Sequence, residues 1–122
     1  CEHGVCGACS VLLDGELIRS CLVFAAQVDG HDVVSLEGLR DLDKVQELTA
    51  AMKEHHAVQC GFCTPGMVVA TWAYLRDGGA PDPASFREYI TGNLCRCTGY
   101  QGLVDAVCSL ENKGVAGSKT AP

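Results

Sequence analysis

Nine cysteines are spread unevenly through this chain of 122 residues, and their spacing points to chemistry more than their number does. Cys1, Cys6, Cys9 and Cys21 fall near the start, Cys60/Cys63 and Cys95/Cys97 form two tight pairs, and Cys108 stands apart. An odd total in a chain longer than about 100 residues makes a poor disulfide framework. Two groups of four thiols suit two metal sites instead, since the thiolate is the metal-binding form of cysteine. The rest of the composition narrows the class. Fifteen Asp and Glu against nine Lys and Arg give a formal charge of −6, the wrong sign for a nucleic-acid footprint. No apolar run approaches the roughly 18 residues of a membrane span. The chain opens on Cys1 rather than Met, so it reads as a fragment or a processed form.

The first group has the form Cys1-x4-Cys6-x2-Cys9, with Cys21 expected on the return strand of a hairpin further on. This is the spacing of plant-type ferredoxins around a [2Fe–2S] cluster. Folding one loop around a compact cluster demands unusual dihedrals, which Gly4 and Gly7 allow. It also frees N–H groups to bond the sulfurs and tune the potential. A structural zinc site and a pair of disulfides are the alternatives; Cys-x2-Cys suits zinc, the glycine-laced x4 spacing less so. In the second group, Cys60-Gly-Phe-Cys63 precedes a helix start and Cys95-Arg-Cys97 follows a helix stop. Two such termini facing each other can supply four thiolates, and a helix N-terminus favours thiolate charge. One intervening residue is short for zinc, where two to four are usual.

Positioning these groups falls to a small β piece and a set of helices. Val11 to Leu22 holds two apolar runs around Asp14-Gly15, a hairpin signal because both residues tolerate positive φ. Val33-Val34 can add a short strand. The period then turns helical, with Asp43 as the cap of a helix to about His55 that carries Val45, Leu48 and Met52. Thr64 is expected as the N-cap of the next helix, with Pro65 in its first turn, and Gly78-Gly79 stops it. That helix is apolar nearly all round, which marks it as central. Asp82-Pro83 opens a short helix through Ile90, closed by Gly92, and a fourth runs from about Gly102 to Glu111. The expected class is α+β. A partial plant-type ferredoxin-like β piece covers residues 1–35, a four-helix [2Fe–2S]-binding domain covers 36–113, and a flexible tail covers 114–122.

The residues around the second group carry a closer likeness. Val-Gln-Cys-Gly-Phe-Cys-Thr-Pro-Gly-Met over 58–67 and Gly-Asn-Leu-Cys-Arg-Cys-Thr-Gly-Tyr over 92–100 resemble paired signatures of a known subunit. It is the small iron–sulfur subunit of the xanthine oxidase family of molybdenum hydroxylases, which includes aldehyde oxidases and aerobic carbon monoxide dehydrogenases. The opening Cys-Glu-His-Gly-Val-Cys-Gly-Ala-Cys resembles the same subunit's ferredoxin motif. The resemblance implies two [2Fe–2S] clusters, one near a flavin on Cys1, Cys6, Cys9 and Cys21. The other, near molybdopterin, is implied on Cys60, Cys63, Cys95 and Cys97, with pterin contacts from Gln59 and Cys97. It further implies a hetero-oligomer with a molybdopterin-binding large subunit and an FAD-binding medium subunit.

Within that complex the chain is expected to relay single electrons from the molybdopterin site to FAD, with no substrate-converting residue of its own. A stand-alone ferredoxin-like redox protein or a zinc-binding interaction module is the competing reading. Family members carry strands ahead of the first cluster cysteine, so residues upstream of Cys1 are expected. The cytoplasm is the expected location, since free thiolates and cluster assembly suit a reducing compartment; export of the folded complex is left open. Four other features read as structural or open. Cys108 reads as a small core hydrophobe, His55-His56 as a solvated helix end, Trp72 as core and Tyr74 as partly exposed. Arg96, between two ligands, either offsets cluster charge or is simply exposed.

Overall fold

The chain reverses at Asp14-Gly15, whose φ angles of 47° and 84° give the left-handed geometry of a two-residue hairpin turn. Strands β1 (Ser10–Leu13) and β2 (Glu16–Arg19) flank the turn, with Leu13 opposite Glu16 and Ser10 opposite Arg19. β3 (Val33–Val34) pairs antiparallel on the far side of β1, giving the order β2-β1-β3. Asp14 fastens the approach to β3, accepting the Asp32 N–H at 2.8 Å and meeting His31 Nδ1 at 2.6 Å. These features come from a computed structural model that describes residues 1–110. The tail assigned to 114–122 and the end of the last helix at Glu111 lie outside the described residues.

Helices α1 (Leu36–Leu39), α2 (Asp43–Glu54), α3 (Thr64–Arg76), α4 (Pro83–Tyr89) and α5 (Gln101–Leu110) follow. The last four are the helices expected from sequence; α1 is a single turn, too short for a repeat to show. Two caps differ from expectation. Leu42, in extended backbone, holds the N-cap of α2, so Asp43 is the first helical residue, where its charge still suits the positive helix end. Cys63 holds the N-cap of α3, which puts Thr64 and Pro65 inside the first turn, where proline's missing N–H costs no hydrogen bond. Asp82 caps α4 as expected, accepting the Ala84 and Ser85 N–H groups at 3.0 Å each.

α3 is buried from Gly66 through Leu75 and packs against β1, β2, α1 and α2, while α5 packs against α2 and α4. Leu12 of the sheet and Phe86 of α4, 1% and 0% exposed, belong to the same core. Each such side chain contributes about 1.5–3 kcal/mol by leaving water. The sheet therefore rests on the helix that Cys63 caps. Both cysteine groups have one support.

Trp72 is in the core, and so is Tyr74, against the expectation of partial exposure. The Tyr74 ring stacks 4.6 Å from Tyr89, and its hydroxyl donates to the Ala80 carbonyl at 2.6 Å, which satisfies its polar end. Cys108 is partly buried against the core. His55 ends α2 as its C-cap, and His56 is exposed with a φ of 55°.

Candidate metal centres

Cys1, Cys6 and Cys9 lie on the loop ahead of β1, and Cys21 lies on a 3₁₀ turn (Ser20–Leu22) just beyond β2. Strand pairing alone brings these two places together. Ser20 then bends the chain, because its N–H and its hydroxyl both donate to the Cys9 carbonyl, at 3.2 and 3.0 Å. Cys21 is thus delivered by the turn rather than by the strand itself. The Cys6 N–H donates to Cys1 Sγ at 3.4 Å. The Ala8 N–H bonds the Cys6 sulfur and holds that thiol below its ordinary value. Burial pushes the Cys9 thiol up, but hydrogen bonds from the Cys21 backbone and side chain and from Ser20 leave it below the ordinary value. Such bonds favour the thiolate, the form a metal takes.

The second group is built from two loops far apart in sequence. Cys60 precedes α3 and Cys63 caps it, while Cys95 and Cys97 follow a 3₁₀ turn (Ile90–Gly92). The side chains meet across the loops, Cys60 with Cys97 and Cys63 with Cys95. Within each pair the two thiols differ. The Phe62 N–H holds Cys60 below its ordinary value, and its bond to Cys60 holds the Cys97 proton in place. Burial, then Cys95, pushes Cys63 up to about 11. Burial also opposes the Cys95 thiolate, but the Thr98 hydroxyl and backbone overcome it and leave Cys95 below the ordinary value. A bound cation would displace the held protons.

Two residues that sequence reasoning gave no role shape this loop. Thr98 Oγ1 lies 3.1 Å from Cys95 Sγ and accepts the Tyr100 N–H at 3.2 Å. The Tyr100 hydroxyl accepts the Cys95 N–H at 2.7 Å and donates to the Asn93 carbonyl at 3.1 Å. Both stand in the Thr-Gly-Tyr that follows the pair, and a hydroxyl beside a cysteine run was the available signal. Gln59 and Cys97 are both exposed, and Gln59 immediately precedes the Cys60 that meets Cys97. Arg96 is exposed as well. Apolar side chains stand out of the surface beside both groups: Val5 and Leu22 at the first, Val58, Phe62 and Leu94 at the second, with Phe62 81% exposed.

All nine cysteines are free thiols. Among the described residues, no three or more His, Cys, Asp or Glu side chains are arranged to hold a single metal ion. Here Cys60 meets Cys97 and Cys63 meets Cys95, which brings thiols of both loops together. An all-thiol donor set of this kind fits a [2Fe–2S] group.

Comparison with known proteins points the same way. Residues 35–108 match the [2Fe-2S] binding domain. The chain is 48% identical over 119 residues to the small subunit of nicotine 6-hydroxylase from Paenarthrobacter nicotinovorans, covering 98% of this chain and 70% of that one. It is 45% identical over 114 residues to the iron–sulfur-binding subunit of xanthine dehydrogenase from Escherichia coli O157:H7, covering 91% and 71%. The crystal structure of quinoline 2-oxidoreductase from Pseudomonas putida 86 superposes with a TM-score of 0.82 at 42% identity, over 95% of this chain and 75% of that one.

Proposed function

Since the chain belongs to the iron–sulfur subunits of the xanthine oxidase family of molybdenum hydroxylases, we propose that it is a two-centre electron relay. Its working parts are the eight thiols already described. Cys1, Cys6, Cys9 and Cys21 hold one [2Fe–2S] cluster, and Cys60, Cys63, Cys95 and Cys97 hold the other. When bound, each supplies a one-electron carrier, which is why such a subunit can stand between two-electron chemistry at molybdopterin and an FAD.

The chain's own residues have three tasks. Ala8 and Phe62 backbone N–H groups and the Thr98 hydroxyl stabilise thiolate charge. Gln59 and Cys97, both exposed, contact the pterin of a large subunit, so Cys97 joins one carrier to the next. The exposed Val58, Phe62 and Leu94 close around that contact, and Val5 and Leu22 do the same toward an FAD-bearing medium subunit. Residues 1–35 form the flavin-side unit and 36–113 the molybdenum-side unit. The cytoplasm, a reducing compartment, is the proposed location.

What supports this reading is that the eight cysteines are free thiols and that hydrogen-bond donors favour the thiolate at Cys6, Cys60 and Cys95. Exposed apolar side chains beside both groups favour a docked subunit over a stand-alone carrier. Metal analysis of the purified assembly tests it. About four irons and four sulfides per chain, two for each [2Fe–2S] cluster, with two distinct EPR signals on reduction, are expected. Colourless protein containing only zinc overturns it.

A further inference from the structure

A buried polar cluster joins the two cysteine loops, and neither motif announces it. Asn93, two residues ahead of Cys95, is 3% exposed and reaches across to the first loop. Its Nδ2 donates to the Gly7 carbonyl at 3.1 Å and to Ser10 Oγ at 3.2 Å. Ser10, 4% exposed, donates its own hydroxyl to the same Gly7 carbonyl at 2.6 Å and its N–H at 3.1 Å. Arg19 closes the cluster from β2. One Nη donates to Ser10 Oγ at 2.7 Å, and the other to the Gly92 carbonyl at 2.8 Å and Asn93 Oδ1 at 3.1 Å. Beside it the Leu94 N–H donates to the Cys6 carbonyl at 2.8 Å.

Three donors therefore converge on the carbonyl of the Gly7–Ala8 peptide. The N–H of that same peptide is the backbone donor that holds the Cys6 thiol below its ordinary value. A peptide group is planar, so fixing its oxygen fixes the direction of its N–H. Donors on the oxygen also polarise the unit and strengthen the bond its N–H makes. The loop has little freedom to do otherwise. A Cβ on Gly7 would lie 2.6 Å from the Gly92 carbonyl oxygen, and one on Gly66 would lie 2.3 Å from the Gly7 carbonyl oxygen. Burying this many polar atoms is costly unless each finds a partner, and here they do.

We propose that Arg19, Ser10 and Asn93 are positioning residues that hold the Gly7–Ala8 peptide with its N–H on Cys6, tying the first centre's potential to the loop of the second. This rests on the two-centre reading above. An N–H to sulfur bond favours the more negative, reduced state of a thiolate-bound cluster, so loosening the peptide lowers the potential of the first centre.

The test uses the full-length subunit in its assembled complex, titrated redox-potentiometrically with EPR detection. Cys95→Ser identifies which signal belongs to the second group. Ser10→Ala and Arg19→Lys both preserve net charge, so any shift they cause reports orientation rather than charge. Each is expected to move the first centre's reduction equilibrium about tenfold toward the oxidised form, 59 mV for one electron. Iron content and the second signal should stay as in the parent. Arg19→Lys should fall short of rescue, because an ammonium lacks the fork that reaches Ser10, Gly92 and Asn93 together. If Arg19→Lys fails to assemble, Ser10→Ala, a one-atom deletion, decides alone. A first centre that titrates with the parent in Ser10→Ala overturns the proposal, as does an equal shift of both centres. A parent complex with fewer than two signals overturns the two-centre reading itself.

Discussion

The two cysteine groups reach similar thiol sets by different means. The first is a local construction, since three of its four cysteines share one loop and a short hairpin returns the fourth within 21 residues. The second is a tertiary construction, since its pairs precede and follow separate helices and meet only when α3, α4 and the following turn are packed. The local group relies first on backbone conformation, with φ of 59° at Glu2, 79° at Gly4 and 72° at Gly7, and on Ser10 and Asn93 side chains at one carbonyl. The packed group relies on side chains, with Thr98 and Tyr100 bracketing Cys95. Loop-built sites fail when their conformation is disturbed, and packed sites fail when a specific contact is removed.

The sharpest break in that comparison is Cys95→Ser. It should abolish one of the two reduced-cluster EPR signals and halve the iron content while the other signal persists. Loss of neither would remove Cys95 from the ligand set. Gly66→Ala comes next. Its Cβ would meet the Gly7 carbonyl oxygen at 2.3 Å, a backbone atom with no way to swing aside. Overpacking of that kind costs about 1–3 kcal/mol, read as a lower Tm, and it should disturb the first group more than a cavity elsewhere in α3 would.

Tyr100→Phe should cost about 1–2 kcal/mol by leaving the Cys95 N–H without its acceptor; a Tm equal to that of the parent would mean water replaces the hydroxyl. Thr98→Val removes the hydroxyl beside Cys95 Sγ and should shift the second centre's reduction equilibrium a few-fold toward the oxidised form, with Thr98→Ser restoring it.

The smallest expected effect is one of pH on the metal-free chain. Cys63 holds its proton to about 11 when folded, above the ordinary 9.0. Between those values the unfolded chain has lost a proton that the folded chain keeps, so stability falls as pH rises from 9 toward 11. Thermal melts of the metal-free protein should show that decline, and Cys63→Ala should flatten it.

Much of this was legible in residue order. Asp14-Gly15 marked the hairpin, and the apolar run from Gly66 marked α3 as central, because turn chemistry and helical period are local properties. The single turn α1 was not, being shorter than the period that would betray it. Nor was the burial of Tyr74, which depends on Phe86 and Tyr89 arriving from α4.

Sequence by itself determined which residues carry sulfur and which turns and helices bring them near one another. Only the packed chain decided that Cys60 meets Cys97 and Cys63 meets Cys95, and that Arg19 reaches Asn93 across 74 positions. Spacing and propensity act over a few residues, whereas these meetings exist only because the sheet and the 92–95 loop are both held against the start of α3.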